Sequence, residues 1–73
     1  MSDKQETTLA DALPLEMARV RDEVLPAYLG IGPPGAIAAS LMRASLDSAA
    51  RAMARGDVVA MVRALEDLRG YEL

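Results

Sequence analysis

Gly30-Ile31-Gly32-Pro33-Pro34-Gly35 spells G-x-G-x-x-G directly ahead of a helical stretch. In a dinucleotide-binding domain, glycines at that spacing let backbone amides approach a pyrophosphate at a helix N-terminus. The context here is different. A helical pattern precedes the glycines where a strand is required, and Pro33 and Pro34 remove two amide donors. The stretch therefore reads as a helix–helix connector.

Other residues have the right chemistry in the wrong arrangement. Asp22-Glu23 and Glu66-Asp67 are paired carboxylates, the types used to hold a divalent cation or move a proton. Neighbours on a helix point about 100° apart, so neither pair converges on one ion. Both read as solvated faces. Ser40, Ser45 and Ser48 offer hydroxyls, but a nucleophile needs a base and an orienting group. The chain has no His, and its single Lys is Lys4 near the N-terminus. These serines read instead as part of a tight packing face. Arg43, Arg51 and Arg55 form a strip that could meet phosphate or an acidic partner. Asp47 lies inside it and neutralises part of it, which favours a salt-bridged surface. Met17, Met42, Met53 and Met61 have the flexible thioethers common on adaptable binding surfaces. All four fall within apolar stripes, so core packing is the simpler reading.

The elements that carry these residues are helices. From Ala36 to Arg55 there is no Gly or Pro, and alanine dominates. Alanine loses no side-chain entropy in a helix. Ile37, Leu41, Ala44, Ser45, Ser48 and Ala52 recur at helical spacing, and Met42, Leu46, Ala49 and Met53 form an adjacent stripe. Gly56 suits a left-handed helix stop, and Asp57 suits the N-cap of the next helix. Val58, Met61, Val62, Leu65 and Leu68 then repeat at helical spacing up to Gly70. So short a connection predicts an antiparallel αα-hairpin. Val58 and Val59 are β-branched at a helix start, and we read them as apolar anchors near the bend.

Ahead of the hairpin, Leu13, Met17, Val20, Val24 and Tyr28 make a seam. It predicts a helix over about 14–28, with Leu9 to Leu13 as an early turn and Pro14 in the first helical turn. Pro26 should kink or end that helix. Leu29 to Gly35 should be extended, with Ile31 either plugging the core or standing out as an anchor. Residues 1–8 are polar and aperiodic and are expected to be a disordered tail, leaving 9–73 as one small domain.

Composition excludes several functions. There is no Cys for a disulfide or thiolate metal site, and no His to serve as metal ligand or general base. We expect no enzyme, no cofactor and no metal. The net charge of −3 lacks the basic field that nucleic-acid binding needs. The polar N-terminus does not resemble a secretory signal, and Arg43 and Asp47 interrupt the best apolar segment, so a cytoplasmic protein without a membrane span is expected.

The segments Tyr28-Leu29-Gly30-Ile31-Gly32-Pro33-Pro34-Gly35 and Gly56-Asp57-Val58-Val59-Ala60-Met61-Val62-Arg63-Ala64-Leu65 resemble those of small helical proteins encoded by bacteriophages and prophages. The resemblance spans about Leu25 to Leu68. It implies no chemistry, but it does imply a short accessory protein that inhibits a bacterial host factor. Gly56-Asp57 also looks like the turn of a tetratricopeptide hairpin, whose aromatic and small-residue pattern is not met here.

The sequence thus predicts an all-α chain of three helices, the last two forming a hairpin, with no staple for its small core. Chains of this size draw only about 3–5 kcal/mol from one core, so a second chain is the favoured source of further stability. We expect a homodimer that also binds a bacterial protein. Its interface is expected to include Met17, Val20, Val24, Tyr28, Ile31, Ile37, Leu41 and Leu46. The alternative is a helix-turn-helix regulator using Arg63 and Arg69, against which Glu66 and Asp67 would repel phosphate.

Overall fold

The computed structural model describes residues 8–73. The helical segments are α1 (Leu9–Arg19), a π-helical turn (Val20–Val24), α2 (Leu25–Ile31), α3 (Pro33–Arg55) and α4 (Val58–Arg69). α1, the π turn and α2 run on without interruption. The described chain is therefore three helical rods with no strand among the described residues, and α3 and α4 form the expected hairpin. The expectation for residues 1–7 lies outside the described residues.

The first rod is longer at both ends than its apolar seam. Thr8 caps it, accepting a hydrogen bond from the Asp11 amide at 3.2 Å. This satisfies a donor that would otherwise be orphaned at a helix start. Pro14 consequently lies inside the helix, not in its first turn. Nor does Pro26 end the rod. Leu25 N–H reaches back five residues to the Val20 carbonyl, closing a π turn just before the proline. A wider turn relieves the pressure a proline ring exerts on the carbonyl four residues earlier.

The expected extended connector shrinks to one residue. α2 runs to Ile31, and α3 starts at Pro33. Only Gly32 leaves helical geometry, at φ 98° and ψ −151°, a region essentially reserved for glycine. Pro33 and Pro34 occupy the start of α3, where a missing N–H does no harm. Gly35 is buried, and a methyl group there would overlap the Tyr28 carbonyl. Two glycines of G-x-G-x-x-G therefore make a corner. Gly32 supplies the backbone angle and Gly35 the close approach of α3 to the end of α2.

The second bend follows the sequence reading. Gly56 is left-handed, at φ 66° and ψ 28°. Asp57 accepts from the Ala60 amide at 3.1 Å as the N-cap of α4. Gly70 ends α4 with right-handed angles.

The first rod lies across the hairpin, with α1 mainly against α4 and α2 mainly against α3. Leu13, Val20 and Val24 from the rod are fully enclosed, together with Ala39, Met42 and Ala49 of α3 and Leu68 of α4. Leu25, Ala52, Met61 and Ala64 complete the buried apolar set around them. The molecule measures 46 × 27 × 15 Å. Its thin dimension is about that of two stacked helices, given axes ~8–10 Å apart and backbone radii of ~2.3 Å. The rod therefore covers one side of the hairpin and leaves the other bare.

A polar clasp closes the covered side. Arg19 Nη2 donates to the carbonyls of Leu68 at 3.1 Å and Tyr71 at 2.8 Å. The Leu68 carbonyl also accepts from the Tyr71 amide at 3.1 Å, so the guanidinium adds a second donor there. Glu16 Oε2 steadies the guanidinium, accepting from Nε at 3.1 Å and Nη2 at 2.8 Å. The Glu16 hydrogen bond, ahead of its charge, holds the Arg19 pKa above the ordinary arginine value. Tyr71 meets the Ser45 hydroxyl at 2.9 Å, and the Tyr28 hydroxyl donates to the Glu72 carbonyl at 3.1 Å. The segment after α4 is thus tied to α1, α2 and α3.

Candidate functional site

The bare side of the hairpin concentrates the apolar surface that the fold leaves unused. Successive helical residues are about 100° apart, so Ile37, Leu41, Ala44 and Ser48 fall within a sector of roughly 60° on α3. All four are exposed, Ile37 by 72% and Leu41 by 57%. The other side of α3 carries Gly35, Ala39, Met42 and Ala49, and Ala52 borders the outer sector; these five are buried by the rod and α4. Of the two stripes expected on this helix, the one containing Met42 thus builds the core. The one containing Ile37 and Leu41 faces outward except at half-buried Ser45 and buried Ala52.

Beside Ser48 the outer stripe borders an open groove between α3 and α4. Its walls include Val59, Ala60, Arg63, Ala64 and Asp67. Val59 is 63% exposed, so the pair Val58-Val59 does not anchor the bend as expected. Val59 instead extends the apolar surface from α3 onto α4. Its β-branched side chain at a helix start, off the stripe of Met61, Leu65 and Leu68, was the available signal for this wall. Nothing in the spacing marked Ala60 or Arg63 as its neighbours across from Ser48.

The expected interface residues separate into three groups. Val20 and Val24 are enclosed in the chain's own core and present no surface. Met17, Tyr28 and Leu46 are half-buried and pack against that core. Ile31, Ile37 and Leu41 are exposed, with Ile31 at the end of α2. The first rod therefore spends most of its seam inside the molecule, though Leu15, Leu29 and Ile31 of the rod are exposed as well as Ile37 and Leu41 of α3 and Val59 of α4. Ser45 is absorbed by its contact with Tyr71, while Ser40 and Ser48 are exposed.

The groove brings Ser48, Asp57, Arg63 and Asp67 to one rim, and among the described residues no side-chain hydrogen bond joins the Ser48 hydroxyl to either carboxylate. Asp22 is engaged by Arg21, whose Nε donates to it at 2.8 Å. That hydrogen bond holds the Asp22 carboxyl below its ordinary range. Among the described residues, no group of three or more His, Cys, Asp or Glu could hold a metal ion. No described helix is long and apolar enough to cross a membrane. Large apolar side chains at the centre of a face with charges at its edges are the pattern of a helix-packing surface. Comparison with family models, curated proteins and solved structures returns no match, so the functional reading rests on the chain's own chemistry.

Proposed function

We propose that this chain is a non-enzymatic helical protein that works by association through the bare face of its hairpin, self-associating and binding a bacterial protein. The observation that carries the reading is the outward stripe of Ile37 and Leu41, continued by Val59, on a helix whose opposite side already fills the core. Contiguous exposed apolar surface on a small soluble fold marks a contact site. A core this rich in alanine gains from covering it. Inhibition of a host factor, as the bacteriophage resemblance implies, would use the same face, because an occupied helix surface is blocked to other partners.

Sedimentation equilibrium at micromolar concentrations tests this reading. The wild-type chain should approach twice its monomer mass, and Ile37→Asp should remain near the monomer mass with an unchanged helical circular-dichroism signal. A bacterial protein retained by immobilised wild type should be lost with Ile37→Asp. A wild type that stays monomeric and retains no protein sensitive to Ile37→Asp would overturn the reading. Salt-dependent retention of DNA would favour the regulator alternative.

A further inference from the structure

We propose that the second copy of this chain docks on α3 in antiparallel fashion, about a two-fold axis passing beside Ala44 and Ser45. This rests on the association reading above and names its geometry. The bare face carries a projection and a recess on the same side of α3. Leu41 stands out from it, and Ser48 lies where the α3–α4 groove opens between Val59 and Ala60. They are seven residues apart, about 10.5 Å along a helix. An axis midway between them sets Leu41 of each copy into the groove beside Ser48 of the other. One patch then matches itself, as a closed two-fold interface requires.

The charges point to the same axis independently. Arg43 and Asp47 are exposed along one flank of the apolar stripe, and the midpoint between them is Ser45. The ion pairs among the described residues are Arg19–Glu16 and Arg21–Asp22, so these two do not pair with each other. Their order, cation before anion four residues on, is the less favourable one for pairing within a helix. An antiparallel two-fold brings like flanks of the two α3 helices together and sets Arg43 of each copy opposite Asp47 of the other. A parallel two-fold would turn this flank away from its own copy and toward the side on which α4 packs, with Arg63 and Asp67 at the groove, so Arg43 and Asp47 of the two copies would not meet. The reciprocal match of Arg43 with Asp47 between copies is therefore met only in the antiparallel arrangement.

Two single charge reversals test the geometry. Arg43→Asp gives two acidic residues on the flank, and Asp47→Arg gives two basic ones. Each variant alone should dimerise roughly tenfold more weakly than wild type, because two reciprocal attractions become repulsions. An equimolar mixture should form a heterodimer as well as wild type dimerises at the same low ionic strength. Both side chains are exposed, and circular dichroism confirms the fold of each variant. Variants that dimerise alone like wild type, or a mixture no better than its components, would overturn the antiparallel geometry while leaving self-association standing. A wild type that stays monomeric throughout overturns the self-association on which both proposals rest.

Discussion

The two faces of α3 differ in how they are completed. On the inner face the side chains are small or thin, and the neighbours come close. Ala39 and Ala49 are fully enclosed, Met42 fills the space between them, and Gly35 admits the backbone of α2. On the outer face Ile37 and Leu41 are bulkier than most of their inward counterparts, yet they have no covering element in the chain. Burial is favourable by about 25 cal/mol per Å² of apolar surface, so size alone would have placed the larger residues inside. What selects the inner face is fit. Helices that cross closely need small residues at the contact, and the alanine row provides them. The bulky residues are left for a surface that does not have to close against a fixed partner.

This contrast predicts that substitutions on the inner side act on stability, and the largest effect belongs at the corner. Gly35→Ala should destabilise the fold by about 3 kcal/mol, since its methyl meets backbone and not a side chain able to move aside. In a chain with so small a core, thermal melting should show a transition lowered by tens of degrees or lost. Gly30→Ala, where a methyl meets nothing, should melt close to wild type.

The clasp comes next. Arg19→Ala removes donors from two carbonyls and from Glu16, and should cost about 2 kcal/mol in urea unfolding. Its side chain is 31% exposed, which keeps the figure below that of a fully buried charged network. Arg19→Lys should recover only part of the loss, because an ammonium lacks the planar fork that holds Glu16 and the carbonyls together. Gly56→Val forces a β-branched residue into left-handed geometry and should cost about 1–2 kcal/mol, with Gly56→Asn milder. Removing residues 1–8 deletes the Thr8 cap and should cost about 1 kcal/mol, a loss that Thr8→Ala in the full chain should reproduce.

The smallest effect is one of pH. The Arg21 hydrogen bond lowers the Asp22 carboxyl, so its contribution is present above the unfolded aspartate value of about 3.9 and fades as pH falls through the lowered folded value. The pair is exposed, so Asp22→Asn should leave melting at pH 7 nearly unchanged and slightly flatten its decline in acid.

Much of the fold is legible in the sequence. Gly56 and Asp57 specify the hairpin through local chemistry, a left-handed stop followed by a cap, and such signals survive in any tertiary setting. The seam of Leu13, Val20 and Val24 is readable because only one face of the first rod meets the core. Features set by backbone groups are not readable. The π turn before Pro26, the corner reduced to Gly32 and the Arg19 clasp depend on carbonyls, which every residue possesses and no sequence pattern marks. The site fell between these cases. Periodicity revealed both stripes of α3 but not which pointed inward, because Ile37 and Leu41 are as apolar as Met42 and Leu46. Only the crossing of the first rod decides between them.

Leu41 and Met42 are neighbours in sequence, yet one faces outward and the other into the core, 57% and 1% exposed. Leu41→Asp and Met42→Asp, compared by circular-dichroism melting and sedimentation equilibrium, therefore test the division of the helix most directly. Leu41→Asp should keep the helical signal and sediment as a monomer where wild type is a dimer. Met42→Asp should lose its cooperative melt, because a carboxylate is then buried without a partner. A Leu41→Asp chain that dimerises like wild type, or a Met42→Asp chain that folds as well as it does, would contradict the account.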